Sequence, residues 1–282
     1  MRASVAAVVS TLLWITPVSA DQTFRGFSED MSNQFQSGTG VSPGSATVTI
    51  HRGKGGHVTD ITISDTNGAL VQTGSANAAA GFVTDPLTRF TFAPAGWAIA
   101  SYLDYSSFGT WISPGANGFF AGAAAGGRPT PIHAMPTMGT ATYQGQTFGV
   151  GELDAGSFLR QSMLIWGDAS ITADFAHQQV TTDLTDMMSS LTSGTGFNPV
   201  GPATPLGSLS GTANLSGNTY AGSLSGTVNA GGSQIPVGGT EQGGFFGPKA
   251  RETAGTWAVA GSIFSPPFSF TAIGSFGATR KP

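Results

Sequence analysis

Gly243–Trp257, GGFFGPKARETAGTW, is the stretch whose reading decides the fold. Two glycines lead into Phe245 and Phe246. Gly247-Pro248 then ends that extended segment, because proline lacks an amide donor and restricts the residue before it. Successive side chains of a strand point to opposite faces, so one phenylalanine faces inward and the other outward, where it needs a cover. Pro248–Glu252 has the composition of a single helical turn with proline at its first position. Gly255 releases the chain into another extended run, Thr256–Ala260. The stretch reads as strand, turn and strand, a late crossover closing a sheet or a barrel.

Composition supports a sheet protein. Forty-two glycines and only 9% charged residues suit a helical chain poorly, since each interior glycine costs a helix about 1 kcal/mol. The polar residues are mostly Ser, Thr, Asn and Gln alternating with Val, Ile, Phe and Gly, which is a β pattern. A hydrophobic share of 39% is enough to build a core. The formal net charge of -4 and the absence of a basic run argue against a nucleic-acid partner. There is no cysteine, which removes disulfides and thiolate metal sites, and with them a lipid-anchoring cysteine.

The first twenty residues read as a secretory signal. Arg2 supplies the charge, Ser4–Ile15 the apolar run and Val18-Ser19-Ala20 the cleavage site, and the run is too short for the roughly 20 residues of a membrane span. No stable span is expected after cleavage. Asp21–Ser45 is polar and is expected to be loosely ordered. Ala46–His51 and His57–Ser64 are strand candidates around an Arg52–Gly56 hairpin loop. Val71–Gly81 reads as a loop. Arg89–Ala93, Trp97–Asp104, Tyr105–Ile112 and Gly118–Ala124 are further strand runs. Three prolines between Gly126 and Pro136 mark a linker.

The second half alternates more regularly. Thr140–Val150 is a strand, and Gly167–Phe175 places Ala169, Ile171, Ala173 and Phe175 on one face. Val180–Leu184 returns beyond a turn holding His177. Leu209–Leu215 and Thr219–Val228 form a hairpin around Ser216–Asn218, with glycines on the inward face where a small barrel bends. Phe268–Ala278 completes about eight strands, enough for a barrel with a filled interior. The expected architecture is all-β, a small eight-stranded antiparallel β-barrel preceded by a β-rich handle domain. The expected divisions are signal peptide 1–20, handle 21–126, Pro-rich linker 127–138 and barrel 139–282.

Gly244–Trp257, as G-x-F-F-G-P-x-A-x-E-x-x-G-x-W, resembles the barrel signature of bacterial transferrin-binding protein B, whose wider family includes factor H-binding protein and the haem-scavenging hemophilins. Its motif positions here are Gly244, Phe245, Phe246, Gly247, Pro248, Glu252, Gly255 and Trp257. Tyr143–Gly145, GDASITADF, Ile273–Gly277 and the lead-in Thr130–Thr137 carry the same likeness, which covers about residues 100–282. The resemblance implies a handle-plus-barrel binding protein for iron or haem carriers. It also implies delivery by an outer-membrane translocator, the surface lipoprotein assembly modulator. The chain departs from that pattern in lacking a lipobox cysteine and in carrying one barrel rather than two lobes. The implied localisation is therefore secreted, cell-surface or periplasmic in a Gram-negative bacterium, without lipidation.

His51, His57 and His133 are the candidate haem ligands. A hairpin could bring His51 and His57 together across its neck, as a pair holding haem iron or a divalent metal. The plainer reading is two exposed strand-end histidines, since no carboxylate or thiolate completes a metal set. His133 lies near Met135 and Met138 on a proline-bound segment whose plainer role is to pack the linker on the barrel. His177 reads as solvated. Tyr102, Tyr105, Phe108, Trp111, Phe119 and Phe120 read as a core between handle and barrel, with any exposed subset a binding patch. Asp168 and Asp174 are too far apart along one strand, at about 20 Å, for a glycosidase pair. With no metalloprotease helix motif and no phosphate-cradling loop, no enzyme activity is expected. The sequence points to a non-catalytic binder of a protein or haem carrier; the alternative is an outer-membrane or adhesive structural β-barrel, for which the strands read as short.

Overall fold

The computed structural model of the chain describes residues 22–34, 38–52, 58–65, 70–72, 82–84, 87–92, 97–115, 118–154, 160–192, 199–264 and 267–282. The signal peptide, His57, the tip of the Arg52–Gly56 loop and most of Val71–Gly81 lie outside the described residues.

The first sheet contains β1 (Gln22–Gln34), β2 (Gly38–Arg52), β3 (Val58–Asp65), β4 (Leu70–Gln72), β5 (Phe82–Thr84), β6 (Leu87–Phe92), β7 (Trp97–Tyr102), β8 (Ser106–Gly115) and β9 (Gly118–Gly127). Its spatial order is β4-β3-β2-β1-β9-β8-β7-β6-β5. The loosely ordered expectation for Asp21–Ser45 is corrected here. Most of that stretch is β1 and the start of β2, and β1 sits mid-sheet, paired antiparallel to β2 on one side and β9 on the other. Pairing on both sides satisfies backbone groups that the polar sequence suggested were left to water.

The second sheet is a closed barrel of β10 (Thr140–Asp154), β11 (Arg160–Asp174), β12 (Gln179–Thr192), β13 (Pro199–Ser216), β14 (Thr219–Ala230), β15 (Ser233–Phe246), β16 (Glu252–Phe264) and β17 (Pro267–Arg280). Each strand pairs antiparallel with the next, and β17 returns to β10. This is the expected eight-stranded barrel behind a β-rich handle. The β13–β14 hairpin has the register that alternation predicts, with Leu209 opposite Gly226, Gly211 opposite Leu224 and Ala213 opposite Gly222. A Cβ at Gly222 would lie 2.0 Å from the Thr212 carbonyl oxygen, so bare backbone is required where the sheet coils.

Alternation also fills the interior. Ala169, Ile171, Ala173 and Phe175 are all buried in the barrel core, as expected. Phe245 is fully buried among Tyr143, Phe175 and Tyr220, with ring centroids 5.5, 5.6 and 5.5 Å away and tilted planes. Such tilted pairs add about 0.5–1.5 kcal/mol each beyond area burial. Outward positions Ser208, Ser210 and Thr212 on β13 and Ser223, Ser225 and Thr227 on β14 are exposed. The barrel strands run from 12 to 18 residues, which corrects the reading of short strands, so length does not separate this barrel from a membrane pore. Polarity does: an apolar inside and hydroxyl-bearing outside is the reverse of a lipid-facing barrel.

The Gly247–Arg251 connection is a hairpin between neighbours, with Phe246 opposite Glu252. The expected crossover and helical turn are both corrected. Lys249 and Ala250 have φ of 55° and 54°, the left-handed region, which no right-handed turn contains. Neighbours hold that conformation in place. The Tyr143 hydroxyl donates to the Ala250 carbonyl at 2.7 Å, Gly247 N–H to Arg128 O at 2.9 Å, and Arg280 N–H to Arg251 O at 2.9 Å.

Trp257 is fully buried; its indole N–H donates to Thr147 Oγ1 at 2.8 Å, and that hydroxyl donates to Ser275 O at 2.9 Å. The indole lies against Gly274, where an added Cβ would sit 2.4 Å from both Trp257 ring carbons and the Phe148 carbonyl oxygen. Gly274→Ala is expected to destabilise the protein by about 2 kcal/mol or more through overpacking. Gly238→Ala, where a Cβ meets nothing within 4 Å, should change stability by under about 0.5 kcal/mol. Denaturant midpoints of the two variants check this pair.

Candidate functional site

The handle meets the barrel along a seam whose centre is Phe246. While Phe245 points into the barrel, Phe246 points out and is covered by Leu103, Phe108, Ala125, Phe148 and Ala254. Phe108 of the handle stacks on Phe148 of the barrel at 5.9 Å with an interplanar angle of 14°. Ala121 and Ala123 of β9 extend the contact onto Val150, Leu164, Ala258 and Ile273, small against branched, so the two sheets approach closely. Of the aromatics expected to form this core, Phe108 is buried in it and Tyr105 packs against it. Tyr102, Trp111, Phe119 and Phe120 stand on β7, β8 and β9.

Glu252 ties the seam together. Its Oε2 accepts from Tyr105 N–H at 3.0 Å and from the Ser106 hydroxyl at 2.9 Å, both just after β7. Burial raises its pKa, while the Ser106 and Tyr105 hydrogen bonds oppose the rise. Thr110 adds a buried hydroxyl bond to Phe148 O at 3.0 Å. Motif positions Gly244, Phe245, Phe246, Gly247, Glu252, Gly255 and Trp257 are buried in the barrel wall, its core or this seam, and Pro248 is exposed on the turn.

The linker is stitched to the same corner. Pro129 bridges to Phe246, Thr130 N–H donates to Phe245 O at 2.9 Å, and its hydroxyl to Gly247 O at 2.6 Å. Asn218 Nδ2 donates to Thr130 O at 2.8 Å. A one-turn 3-10 helix, Ile132–Ala134, follows, and Met135 enters the barrel core while Met138 is exposed. The expected packing of this segment against the barrel is realised through Met135. His133 is exposed on the helical turn.

The described histidines, His51, His133 and His177, stand on separate elements. His51 stands on β2 opposite Asp60 in register, and His57 lies outside the described residues. His177 is exposed in the β11–β12 turn, as expected, with Nδ1 2.8 Å from Asp174 Oδ2. That hydrogen bond lowers the Asp174 pKa. Among the described residues no group of three or more His, Cys, Asp or Glu side chains could hold a metal ion, and no helix is long and apolar enough to cross a membrane. Among the described residues the exposed large apolar side chains are Ile132 and Met138 in the linker and, at the other end of the barrel, Leu191 opposite Val200 and, at the end of β16, Phe264 at 94% exposure.

Sequence reading singled out Glu252 as a motif position without its role as the seam's acceptor, and it missed Glu241 in the barrel interior. Glu241 is on the inward face of β15 with Ile235, Val237 and Phe245; that shared parity was the available signal. Burial raises its pKa to about 7, the Thr182 hydroxyl opposes the rise and the charge of Asp183 adds to it.

Ser106→Ala together with Glu252→Gln should weaken the seam by about 1–3 kcal/mol, the usual cost of lost buried hydrogen bonds, and speed amide exchange at Leu103–Thr110. For Glu241 the sign follows from the raised pKa. The unfolded chain releases the proton near pH 4.5 and the folded one near 7, so stability falls between those values, by about 3 kcal/mol at 1.36 kcal/mol per unit. Glu241→Gln removes the fall: its unfolding free energy should exceed wild type by about 2–3 kcal/mol at about pH 8 and match it at about pH 4.

Residues 135–280, just over half of the chain, match the family described as the C-lobe and N-lobe beta barrels of Tf-binding protein B. No curated protein sequence matches significantly. Among solved structures, a single-substitution variant of transferrin binding protein B from Haemophilus parasuis Hp5 aligns over 93% of this chain and 77% of its own, at 12% identity and a TM-score of 0.45. The isotype 1 transferrin binding protein B from serogroup B Neisseria meningitidis aligns over 93% of this chain and 43% of its own, at 17% identity and a TM-score of 0.43. By the match across its barrel, the chain belongs to the family of Tf-binding protein B lobe barrels, a non-catalytic class of binding proteins.

Proposed function

We propose that this chain is a secreted or surface-exposed bacterial capture protein whose ligand is an iron-carrier protein. One observation carries the reading: Phe246, the Phe108–Phe148 stack and the Glu252 hydrogen bonds lock the handle to the barrel, giving a rigid display platform. Rigid scaffolds leave recognition to the strand ends and loops they hold in place. In this proposal residues 1–20 are a cleaved signal peptide, 21–126 the handle, 127–138 the linker and 139–282 the barrel, and an outer-membrane translocator delivers the mature protein. The contact includes the exposed end of the barrel at Leu191, Val200 and Phe264, since exposed aromatics dominate interface hot spots.

A second reading takes haem itself as the ligand, held by His51, His57 or His133, and with it kinship to the hemophilins rather than to factor H-binding protein. The support is residue type alone, because His51 and His133 lie on separate elements, β2 and the linker. The carrier reading is the stronger of the two.

Immobilised protein should retain an iron-carrier protein from host serum, and Phe264→Ser should weaken that binding at least about tenfold, or about 1.4 kcal/mol, with an unchanged circular dichroism spectrum. Failure to retain any iron carrier overturns the carrier reading. Haemin titration separates the second reading: a shifted Soret band lost in His51→Ala or His133→Ala supports it, and the spectrum of free haemin removes it.

A further inference from the structure

The barrel interior carries a polar cluster that neither the seam nor the proposed contact surface uses. Glu241 is 1% exposed and Thr182 is fully buried. Both lie on the inward faces of their strands, Glu241 in line with Ile235, Val237 and Phe245 on β15, and Thr182 between Val180 and Leu184 on β12. The two strands between them, β13 and β14, present only Gly211, Ala213 and Gly222 at this level, since Glu241 is opposite Gly222, Gly222 opposite Ala213, and Thr182 opposite Gly211. Thr182 faces the carboxyl closely enough to act on its ionisation. Yet Glu241 Oε1, Glu241 Oε2 and Thr182 Oγ1 are all buried without a hydrogen-bond partner.

Three buried oxygens at one place define what can satisfy them. They offer four or more acceptor sites and one hydroxyl proton, or two protons when the carboxyl is neutral. A direct bond between Thr182 and one carboxyl oxygen leaves the other oxygen bare, and a bare buried polar group is costly. Among the residues whose burial is described, no Lys, Arg or His is buried, so none of these supplies an internal cation. The other polar groups facing the interior are already engaged: the Tyr220 hydroxyl pairs with Thr253 Oγ1 at 2.8 Å, and the Tyr143 hydroxyl donates to Ala250 O. Asp183 is the neighbouring acid that acts on Glu241, and Tyr220 is the phenol whose own ionisation Glu241 opposes. The group that fits is small, neutral and able to donate two hydrogen bonds while accepting one. Water does this, and interior waters typically make about three bonds to groups otherwise unpaired.

We propose that the barrel binds an internal water molecule between the carboxyl of Glu241 and the hydroxyl of Thr182. The water donates to the carboxyl oxygens and accepts from Thr182, making this pair a built hydration site in an otherwise apolar core. A small monovalent cation is the competing occupant, which the same oxygens would coordinate without donated hydrogen bonds.

Crystals of the whole protein at atomic resolution, grown in sodium and in rubidium salts, test the site, alongside water–protein cross-relaxation by NMR in solution. The expected result is one ordered peak within hydrogen-bond distance of Glu241 and Thr182 in both salts, without anomalous signal, and long-lived water contacts to the Thr182 methyl. Thr182→Val, which keeps the shape of the side chain, should abolish the peak while leaving the barrel folded. An anomalous peak in rubidium overturns the proposal in favour of a cation site. A direct Glu241–Thr182 hydrogen bond with no density between them overturns it too, as does a peak that persists in Thr182→Val.

Discussion

Consecutive residues on a strand cannot face the same way, and at Phe245-Phe246 the protein uses both faces of one strand at once. Phe245 enters a ring of Tyr143, Phe175 and Tyr220 inside the barrel, and Phe246 leaves the barrel for the pocket lined by Leu103, Phe108 and Phe148. The two cores are therefore separated by the thickness of a single backbone. A register slip of one residue along β15 would exchange them, sending Glu241 outward and Gly244 inward, so the hairpin with β16 fixes both at once.

Glu252 and Glu241 show how differently the same buried side chain is accommodated on the two sides of that wall. Glu252 is outward, and handle groups supply its partners, a backbone N–H and a hydroxyl. Its burial depends on the handle being in place, so it favours the docked arrangement over a loose one. Glu241 is inward among apolar neighbours, and burial is the largest influence on its ionisation. A chain with few charges and no cysteine draws its cohesion from packing and sheet pairing. In such a chain, these two carboxyls are among the places where the environment has to be arranged group by group.

The parts of this structure legible in the sequence were those in which alternation and turn chemistry agree. The β13–β14 hairpin and the inward face of GDASITADF follow directly from period-two patterning, and the opposed facing of Phe245 and Phe246 follows from the same rule. Three features had no such agreement. β1 is polar along most of its length, and only its position between β2 and β9 makes it a strand. β15 carries Pro236 and several glycines, a composition that resembles a loop, yet that proline lies in a paired strand opposite Thr227. The left-handed pair Lys249-Ala250 is set by hydrogen bonds between this turn and Tyr143, Arg128 and Arg280, remote in sequence, rather than by the residues themselves. Glu241 is the site-level counterpart: its parity with Ile235 and Val237 turns it inward, but the residues that enclose it lie on strands remote in sequence.

The stitching of Thr130 and Pro129 to Phe245, Phe246 and Gly247 has a consequence for the history of each molecule. Glu252 and Gly247 follow Tyr105 and Thr130 by 147 and 117 positions, and Ser275 follows Thr110 by 165. A chain that emerges amino terminus first completes β8 and β9 long before the last of their barrel partners exist. Phe108 and the alanine-rich face of β9 have early partners in Phe148, Val150 and Leu164, but their contacts with Phe246, Ala254, Ala258 and Ile273 wait for the last three strands, and non-local closures of this length are slow. Until then the first sheet is a partly covered surface, the kind of intermediate that escorting factors bind. Completion of the seam thus depends on the carboxyl-terminal strands, which carry the last of its partners.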